Sequence, residues 1–519
     1  MKHRAIKRRN VVIGIGAAAG AATAGGLTLS AQASTGTASD EPYGTLTFDT
    51  DAYTELTTTV TTDDGDKEVK YRFWKAITYV AKPVDEKYQS LNVSVPVEID
   101  GEAIDASDAP ILFANSVGGY MPSSVADADG IGGGMPGGGG GGTPGGDGGA
   151  MNANQLLALA AGYVVVEPGA RGRTLKDDDG TYYGTAPAAI VDLKAAVRYV
   201  RANKGRIPGN TDRIVSAGTS AGGALSSLLG ASGDSRIYAT YLSQLGAADA
   251  SDAIFATGAW CPIADLEHAD GAYEWNWGAN KQSNGEQVDQ ATSKQLRAQF
   301  AEYQASLRLR RIDGHGPLTA RNYDDYLLTH YLQPSATRYL KGLSDSDRAA
   351  YLADNTFITW QEGKDGKATF TWEDFLTHVG ARKKDTPAFD PFDLSSPENN
   401  EFGAGTTEAR HFTAYGARHD TSGVGSKRVA SDLPEKLGLM NPMYHLARRN
   451  PGRSKHWWIR LGTKDSDTSL TVSANIAASA AGLGDQVDHL YYWDEGHGAN
   501  IDPADFIAWI ARVTGYKKK

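Results

Sequence analysis

The sequence predicts an α/β protein with a doubly wound, mainly parallel sheet and a large inserted, mostly helical domain. Short apolar runs alternate with helical segments between Gly162 and Leu229, and such a βαβα order places helices on both faces of a parallel sheet. A polar, helix-rich block then separates these segments from two strand-like runs near the C-terminus. With 519 residues, the chain is long enough for one large domain with an insertion.

The N-terminus has the features of an export signal. A Lys-Arg-Arg run at residues 7–9 precedes an Ala- and Gly-rich apolar stretch, and Ala-Gln-Ala at residues 31–33 fits a small-residue cleavage site. The arginine pair and the weakly apolar stretch favour the twin-arginine route, which exports folded proteins. We therefore predict a signal peptide at residues 1–33 and a secreted, extracellular chain. No later segment has the length and apolarity of a membrane span, so stable membrane insertion of the mature chain is not expected.

Charge and cysteine content exclude several kinds of partner and cofactor. The formal net charge is −11, and removal of the basic N-terminal segment makes the rest five units more negative. Nucleic acids and anionic membranes need clustered cations, so neither is expected as a partner. The single cysteine, Cys261, precludes an intramolecular disulfide. No Cys/His cluster has metal-ligand spacing, and neither a metal nor an organic cofactor is predicted.

Strand-like runs and loops come first in the mature chain. Apolar and polar residues alternate from Leu91 to Asp100, as in a half-buried strand. The apolar run at residues 111–114 opens into a loop over residues 115–120. A glycine-dominated stretch follows at residues 130–149; it has almost no side chains to bury and predicts a flexible surface loop. A phosphate-binding role would need a Gly-Lys-Ser/Thr sequence after it, which is not found.

Strands and helices then alternate. The runs at residues 162–166 and 213–217 predict short buried strands. Residues 186–203 carry apolar side chains at helical spacing, and residues 221–229 predict a helix of small residues. Together with the preceding loops, these elements form the first part of the core, residues 34–260.

Beyond Cys261 the sequence becomes polar, helical and aromatic. Helical segments are predicted at residues 296–307, 326–332 and 345–353. Strand-like runs return only at residues 456–461 and 487–493. A helical block between two parts of a sheet predicts an inserted lid domain over residues 261–436, followed by a second core part over residues 437–519.

The motif with the clearest chemistry is a G-x-S-x-G sequence centred on Ser220. A predicted strand precedes it and a predicted helix follows it, the context in which this motif forms the nucleophile turn of an α/β-hydrolase. The flanking glycines relieve backbone crowding, and the N-terminus of the helix favours developing negative charge. We predict Ser220 as the nucleophile of a serine esterase.

A serine hydroxyl needs a neighbouring imidazole to take its proton, and in this fold the base follows the acid late in the chain. His489 lies inside an alternating strand, whereas His497 lies in a loop just after it, so His497 is predicted as the base. The acid should follow the preceding strand, where Asp465 and Asp467 both occur. The residues alone do not choose between these two carboxylates.

The tetrahedral intermediate needs backbone N–H donors aimed at its oxyanion. One is predicted at Ala221, the residue after the nucleophile. The other is predicted in the loop after an early strand, at Gly118 and Gly119, because glycines allow the backbone to approach a ligand closely. The alternative is that these glycines only form a tight turn.

Several stretches, taken together, are more specific to one protein family than the serine motif alone. They are Gly218–Gly223, Cys261–Asp270, Tyr273–Trp275, Pro387–Asp390, Ser395–Asn399, and Asp465–Leu470 with His497. On these stretches, which run through the whole mature chain, the sequence resembles bacterial tannases of the subtype often called B, within the tannase/feruloyl esterase-like α/β-hydrolases. The glycine-rich stretch and the export signal are not features of every member.

The resemblance implies roles for individual residues. In that family the first aspartate of a D-x-D pair completes the triad and the second helps to hold a galloyl ring, which implies these roles for Asp465 and Asp467. A lysine and a glutamate of the lid domain contact the ring hydroxyls. By position these are Lys384 and Glu398, with Lys383 as the alternative lysine.

These expectations combine into a secreted serine esterase that hydrolyses galloyl esters, small-molecule aromatic substrates, through an acyl-enzyme intermediate. A feruloyl or general carboxylesterase with the same triad is the alternative within enzymes. A catalytically inactive binding protein on the hydrolase fold is the alternative from a different class.

Overall fold

The computed structural model describes residues 46–133, 135–136, 148–363 and 366–518. The predicted signal peptide and most of the glycine-rich stretch lie outside the described residues. The described strands are β1 (Thr54–Thr62), β2 (Gly65–Thr78), β3 (Ser90–Ile99), β4 (Glu102–Ala103), β5 (Ile111–Ala114), β6 (Ser123–Ser124), β7 (Met135–Pro136), β8 (Val164–Pro168), β9 (Ile214–Thr219), β10 (Ala256–Trp260), β11 (Thr359–Gln361), β12 (Lys367–Thr369), β13 (His456–Gly462) and β14 (Gln486–Tyr492).

Helices alternate with the later strands and fill the long segment between β10 and β13. They are α1 (Gly148–Ala160), α2 (Ala188–Ala202), α3 (Ala221–Ser232), α4 (Ala239–Gln244), α5 (Leu266–Trp277), α6 (Gln290–Leu307), α7 (Tyr323–Leu327), α8 (Gln333–Gly342), α9 (Asp345–Asp354), α10 (Trp372–Val379), α11 (Pro397–Glu401), α12 (Ala414–Arg418), α13 (Leu433–Met440), α14 (Pro442–Leu446), α15 (Leu470–Gly482) and α16 (Pro503–Thr514).

A mixed sheet forms the centre of the fold, with ten strands among the described residues. Its order is β1-β2-β3-β8-β5-β9-β10-β13-β14, and β4 pairs with β3. In this sheet order, neighbouring strands from β1 as far as β8 are antiparallel. Neighbouring strands from β8 onward to β14 are parallel. Parallel neighbours need crossover connections, which the helices provide. The predicted α/β class with a mainly parallel sheet is confirmed.

The central strands are buried because both of their faces are covered. Every residue of β5 and β8 is buried, as expected of parallel strands packed between two helical layers. Helix α3 lies against β10, and small residues make this close approach possible. A Cβ on Gly223 would lie 2.4 Å from the Trp260 carbonyl oxygen, and one on Gly230 would lie 2.1 Å from Thr257 Oγ1. The contact places the N-terminus of α3 at the carboxyl edge of the sheet.

The segment between β10 and β13 contains α5 to α14 and the small β11–β12 sheet. It occupies the place of the predicted helical insertion, whose boundaries at residues 261 and 436 stay predictions. Local capping defines the start of several of its helices. For example, the Ser344 hydroxyl accepts from Asp347 N at the start of α9, and Thr371 forms a capping box with Asp374 at the start of α10. None of the helices among the described residues is both long and apolar enough to cross a membrane.

Candidate active site

Ser220 lies in the sharp turn between β9 and α3, with φ 60° and ψ −122°. A non-glycine residue at this positive φ is strained, and the surrounding backbone holds it in place. The Ser220 N–H donates to the carbonyl of Trp260 at 3.0 Å, and its own carbonyl accepts from Ile263 N at 3.3 Å. A Cβ on Gly218 would lie 2.3 Å from the Gly222 carbonyl oxygen, so the turn requires a glycine at that position.

His497 and Asp465 continue from the serine in a line of hydrogen bonds. His497 Nε2 lies 2.9 Å from Ser220 Oγ, and Nδ1 lies 2.8 Å from Asp465 Oδ2. Asp465 is buried, and its Oδ1 accepts from Asp467 N at 2.9 Å. The Nδ1 proton of His497 therefore points to the carboxylate, which leaves Nε2 free to accept the serine proton. This connectivity is that of a nucleophile, a base and an orienting acid.

Two opposing effects set the basicity of His497. Burial lowers its pKa, whereas the hydrogen bond that its Nδ1–H donates to Asp465 raises it, and the net shift is upward. Cys261 Sγ lies 4.0 Å from His497 Nε2, and burial raises the pKa of this thiol. The thiol is therefore neutral, and the Asp465 carboxylate is the charge that stabilises the imidazolium.

Cys261, Asp465 and His497 also form a group that could hold a metal ion, with ligand atoms within 4.8 Å of one another. Both ring nitrogens of His497 are already engaged, however, by Ser220 and by Asp465. The arrangement therefore fits proton transfer better than metal ligation.

The other late histidine, His489, is buried in β14, and burial lowers its pKa well below the ordinary value, as in a packed core residue.

Two of the three predicted oxyanion residues, Ala221 and Gly119, lie at the cavity beside Ser220. Ala221 is the first residue of α3, and it lines the cavity beside Ser220 together with Gly119. Gly119 has φ 54°, a conformation that favours glycine. Gly118 precedes Gly119 in the chain, and its carbonyl accepts a hydrogen bond from Met121 N at 2.9 Å.

A cavity of about 380 Å³ opens beside Ser220, within the size range of small-molecule sites. Its lining includes Ser220 and His497 together with Lys384, Glu398 and Asp467. The structure therefore brings the predicted triad and the predicted ring-contacting residues into one site, although the lid residues and the triad are far apart in sequence.

The two adjacent lysines have different surroundings. Lys384 lines the cavity; its Nζ lies 3.7 Å from the centroid of the Phe389 ring and 4.0 Å from Glu398 Oε1. Lys383 donates to both carboxylate oxygens of Asp467, at 2.7 and 2.8 Å, and its side chain is 61% exposed. Their positions favour Lys384 as the lysine that faces a ligand.

Solved structures of similar architecture identify the family. The structure of Fusobacterium nucleatum tannase is 34% identical to this chain at a TM-score of 0.75, over 91% of this chain and 100% of that chain. A tannase from Lactobacillus plantarum is 35% identical at a TM-score of 0.75, over 90% of this chain and 99% of that one. The chain belongs to the bacterial tannases.

Two further comparisons agree with this membership, which confirms the resemblance seen in the sequence. A tannin acyl hydrolase in complex with ethyl gallate is 34% identical to this tannase-family chain at a TM-score of 0.75, over 90% of this chain and 99% of that one. A family profile described as BD-FAE matches residues 138–305. Curated proteins yield no match. As a member of the tannase family, the chain is a carboxylic ester hydrolase.

Several residues that shape the tannase-family site are not among the sequence predictions. Arg173 holds the loop over residues 115–120: its N–H donates to the Tyr120 carbonyl at 2.9 Å and its Nε to the Gly119 carbonyl at 2.8 Å. The Tyr120 hydroxyl donates to the Ile263 carbonyl at 2.8 Å. No local motif marks Arg173, because its partners come from distant loops.

Asp270 and Phe389 form a second support, beneath Lys384. The Asp270 carboxylate accepts from the backbone N–H of Phe389 at 2.6 Å and also from that of Asp390. Burial and then the neighbouring Asp390 charge raise the pKa of Asp270 to about 7. Both residues lie within family-specific stretches of the sequence, which is the only signal that could have pointed to them.

Proposed function

We propose that this tannase-family chain hydrolyses galloyl esters through an acyl-enzyme intermediate with Ser220 as the nucleophile. One observation carries the proposal: the cavity beside Ser220 Oγ is also lined by two carboxylates and an ammonium, those of Glu398, Asp467 and Lys384. A galloyl ring offers three neighbouring hydroxyls to such a set of groups. The relative described in complex with ethyl gallate belongs to the same family and supports this substrate class.

Acylation begins with proton transfer within the triad. His497 Nε2 accepts the Ser220 proton, and Oγ attacks the ester carbonyl. Asp465 accepts a hydrogen bond from Nδ1 and stabilises the imidazolium that forms. Backbone N–H groups of Ala221 and of the Gly118–Gly119 loop stabilise the oxyanion. His497 then protonates the leaving alcohol, and the galloyl group remains on Ser220.

Deacylation repeats these steps with water in place of the serine. His497 removes a proton from water, the hydroxide attacks the acyl carbonyl, and collapse of the intermediate returns the proton to Ser220 Oγ. The aromatic acid leaves, and the free triad is restored. Each step uses side chains, backbone N–H groups and water.

Selectivity follows from the cost of unpaired polar groups. Glu398 and Asp467 accept hydrogen bonds from ring hydroxyls, and Lys384 donates one. A ring without hydroxyls leaves these groups without a partner on the ligand, and a hydrogen bond lost in this way at a buried polar group costs about 1–3 kcal/mol. A site built in this way discriminates strongly against analogues that lack the hydroxyls.

The ionic contacts of the free site prepare it for this task. Lys383 pairs with Asp467 and Lys384 lies beside Glu398, so each carboxylate has a cation next to it. An ionised carboxylate is the stronger hydrogen-bond acceptor, which suits a phenolic hydroxyl donor.

The experiment follows hydrolysis of methyl gallate and methyl ferulate by chromatography, with wild type, Ser220→Ala, Lys384→Met and Glu398→Gln. The proposal expects release of gallic acid that disappears in Ser220→Ala and a galloylated serine in the mass spectrum of rapidly quenched wild type. The two pocket variants should raise KM for methyl gallate. A feruloyl or general carboxylesterase would instead hydrolyse methyl ferulate at least as well and be indifferent to both variants. A binding protein would bind gallate without turnover.

We also propose that residues 1–33 direct export by the twin-arginine route. The support is the Lys-Arg-Arg run before a weakly apolar stretch and a small-residue cleavage site. Replacement of Arg8 and Arg9 by lysine should abolish export from a host with a functional twin-arginine system. Export that survives this change, or that persists in a host without the system, would contradict the proposed route.

A further inference from the structure

Asp494 lies in the turn after β14, three residues before His497, with φ 63°. Both of its carboxylate oxygens are occupied. The Tyr351 hydroxyl donates to Oδ2 at 2.5 Å, and His378 donates from Nε2 to Oδ1 at 2.5 Å. Lys464 Nζ lies 3.0 Å from the same Oδ1. One carboxylate therefore gathers three side chains.

These three side chains come from different parts of the fold. Tyr351 belongs to α9 and His378 to α10, both in the helical segment between β10 and β13. Lys464 belongs to the acid loop, defined here as residues 462–467, which carries the orienting carboxylate. Asp494 itself belongs to the base loop, residues 493–498, which carries the imidazole.

The acid loop and the base loop also bond to each other directly. Asp494 N donates to Thr463 Oγ1 at 2.9 Å, and Lys464 N donates to the Glu495 carbonyl at 2.9 Å. A Cβ on Gly462 would lie 2.2 Å from that carbonyl oxygen. The two loops are therefore in close contact, and a shift of one displaces the other.

The contacts around Asp494 extend into an aromatic cluster. The His378 ring stacks on Trp493, with centroids 5.3 Å apart and planes 5° from parallel, and Trp493 Nε1 donates to the Tyr351 hydroxyl at 2.7 Å. Burial raises the pKa of Asp494, but the hydrogen bonds from His378, Tyr351 and Lys464 lower it to about 2. Asp494 is therefore ionised at neutral pH.

We propose that Asp494 is a positioning residue, whose carboxylate ties the base loop to the acid loop and to α9 and α10 and thereby holds His497 in line between Ser220 and Asp465. The inference rests on the triad of the proposed function. Asp494 is not among the residues that line the cavity in the described part of the chain, so it acts through His497 and makes no contact with substrate.

The direct test is Asp494→Asn, which keeps the size of the side chain and, because asparagine tolerates positive φ, the turn. The expected result is a fall in kcat for methyl gallate of about 10- to 100-fold, the scale of a small misplacement of a catalytic group, with KM changed less than about 2-fold. Rates are expressed per active site, counted by fluorophosphonate labelling taken to completion. This count separates positioning from a loss of folded protein.

A matched control is Asp212→Asn. Asp212 also pairs with a lysine, Lys204, at 2.7 Å, but on an exposed surface with no link to the triad loops, and its loss should leave kcat per site unchanged. The lid side is tested with Tyr351→Phe and His378→Gln, which leave the turn sequence intact. Each should lower kcat per site, and their effects should not add to that of Asp494→Asn.

An unchanged kcat per site in Asp494→Asn would overturn the inference while leaving the proposed function intact. If Asp494→Asn fails to fold, an unchanged kcat per site in both Tyr351→Phe and His378→Gln would overturn it in the same way. A merely structural role predicts that pattern, with a lower melting temperature alone. Failure of the proposed function looks different, because wild type itself would then not release gallic acid or Ser220→Ala would retain the activity.

Discussion

The ammonium of Lys384 lies over the face of the Phe389 ring, 3.7 Å from its centroid. The ring supports the cation from one side, while Glu398 lies 4.0 Å away on the cavity side. Phe389 is in turn fixed through its backbone N–H by Asp270. This relationship gives a lysine with a long flexible stem a defined place in the wall of the cavity, where the proposed function needs a directed donor.

Phe389→Leu keeps an apolar side chain but removes the aromatic face. The cation–π contact is worth about 0.5–2 kcal/mol, so we expect KM for methyl gallate to rise by about 2- to 30-fold, with a smaller change in kcat. Steady-state kinetics on methyl gallate and methyl benzoate measure the effect. Methyl benzoate serves as the control because its ring offers no hydroxyl to Lys384. An equal change on both esters would show general damage to the cavity.

Asp465→Asn keeps the shape of the triad but allows the wrong imidazole tautomer. In a serine protease the equivalent change lowers kcat about 10⁴-fold, and we expect a loss of that order here with little change in KM. Asp467→Asn is the matched comparison, since it alters the neighbouring carboxylate and should raise KM instead. If the two variants exchanged these signatures, the roles proposed for Asp465 and Asp467 would have to be exchanged as well.

The pH profile reports the protonation of His497. Only the neutral imidazole can accept the serine proton, so kcat/KM should fall as pH drops through the pKa of this group. Because Asp465 raises that pKa, the acid limb should lie at a higher pH than an unperturbed histidine, at about 6.5, would give. Asp465→Asn should move the limb to lower pH. An acid limb that stays at the same pH in this variant would contradict the effect of Asp465 on the pKa of His497.

Asp270 should make stability depend on pH near neutrality. Its folded pKa of about 7 exceeds that of an unfolded aspartate, about 3.9. The folded state therefore holds a proton that the unfolded state releases, and stability should decrease as pH rises from about 4 to about 7. A shift of this size corresponds to at most about 4 kcal/mol.

Asp270→Asn, which mimics the protonated form, should reduce this dependence. Melting temperatures of wild type and variant between pH 5 and pH 8 provide the measurement. The melting temperature of the variant should increase relative to that of wild type as pH rises. Parallel melting curves at every pH would mean that Asp270 does not titrate in this range.

The parts of the site that are contiguous in sequence could be predicted. Ser220 could be predicted as the nucleophile because its strand, its turn and its helix follow one another directly. His497 could be predicted as the base because it follows the last strand of the sheet. The choice between Asp465 and Asp467 could not be made from spacing, since both follow the same strand. It depends on the direction of each side chain: one meets His497, the other Lys383.

Contacts between distant segments gave no signal in the sequence. Asp494 stands next to the predicted base, but its partners Tyr351 and His378 are 143 and 116 residues away, and nothing in the local pattern links them. The antiparallel strands β1 and β2 are also absent from the predicted elements. Their burial pattern is mostly exposed or intermediate, and such strands at the periphery of a sheet depend more on pairing than on an apolar run.

The central claim is that Ser220 attacks an ester whose ring hydroxyls are held by Lys384, Glu398 and Asp467. The most direct measurement is the ratio of kcat/KM for methyl gallate to that for methyl benzoate, in wild type and in Glu398→Gln, with Ser220→Ala as the blank. The account predicts a ratio of at least about 100 in wild type, as expected of a site built around hydroxyl hydrogen bonds, and a clear decrease in the variant. Equal rates on the two esters would contradict the claim and leave a general esterase with the same triad.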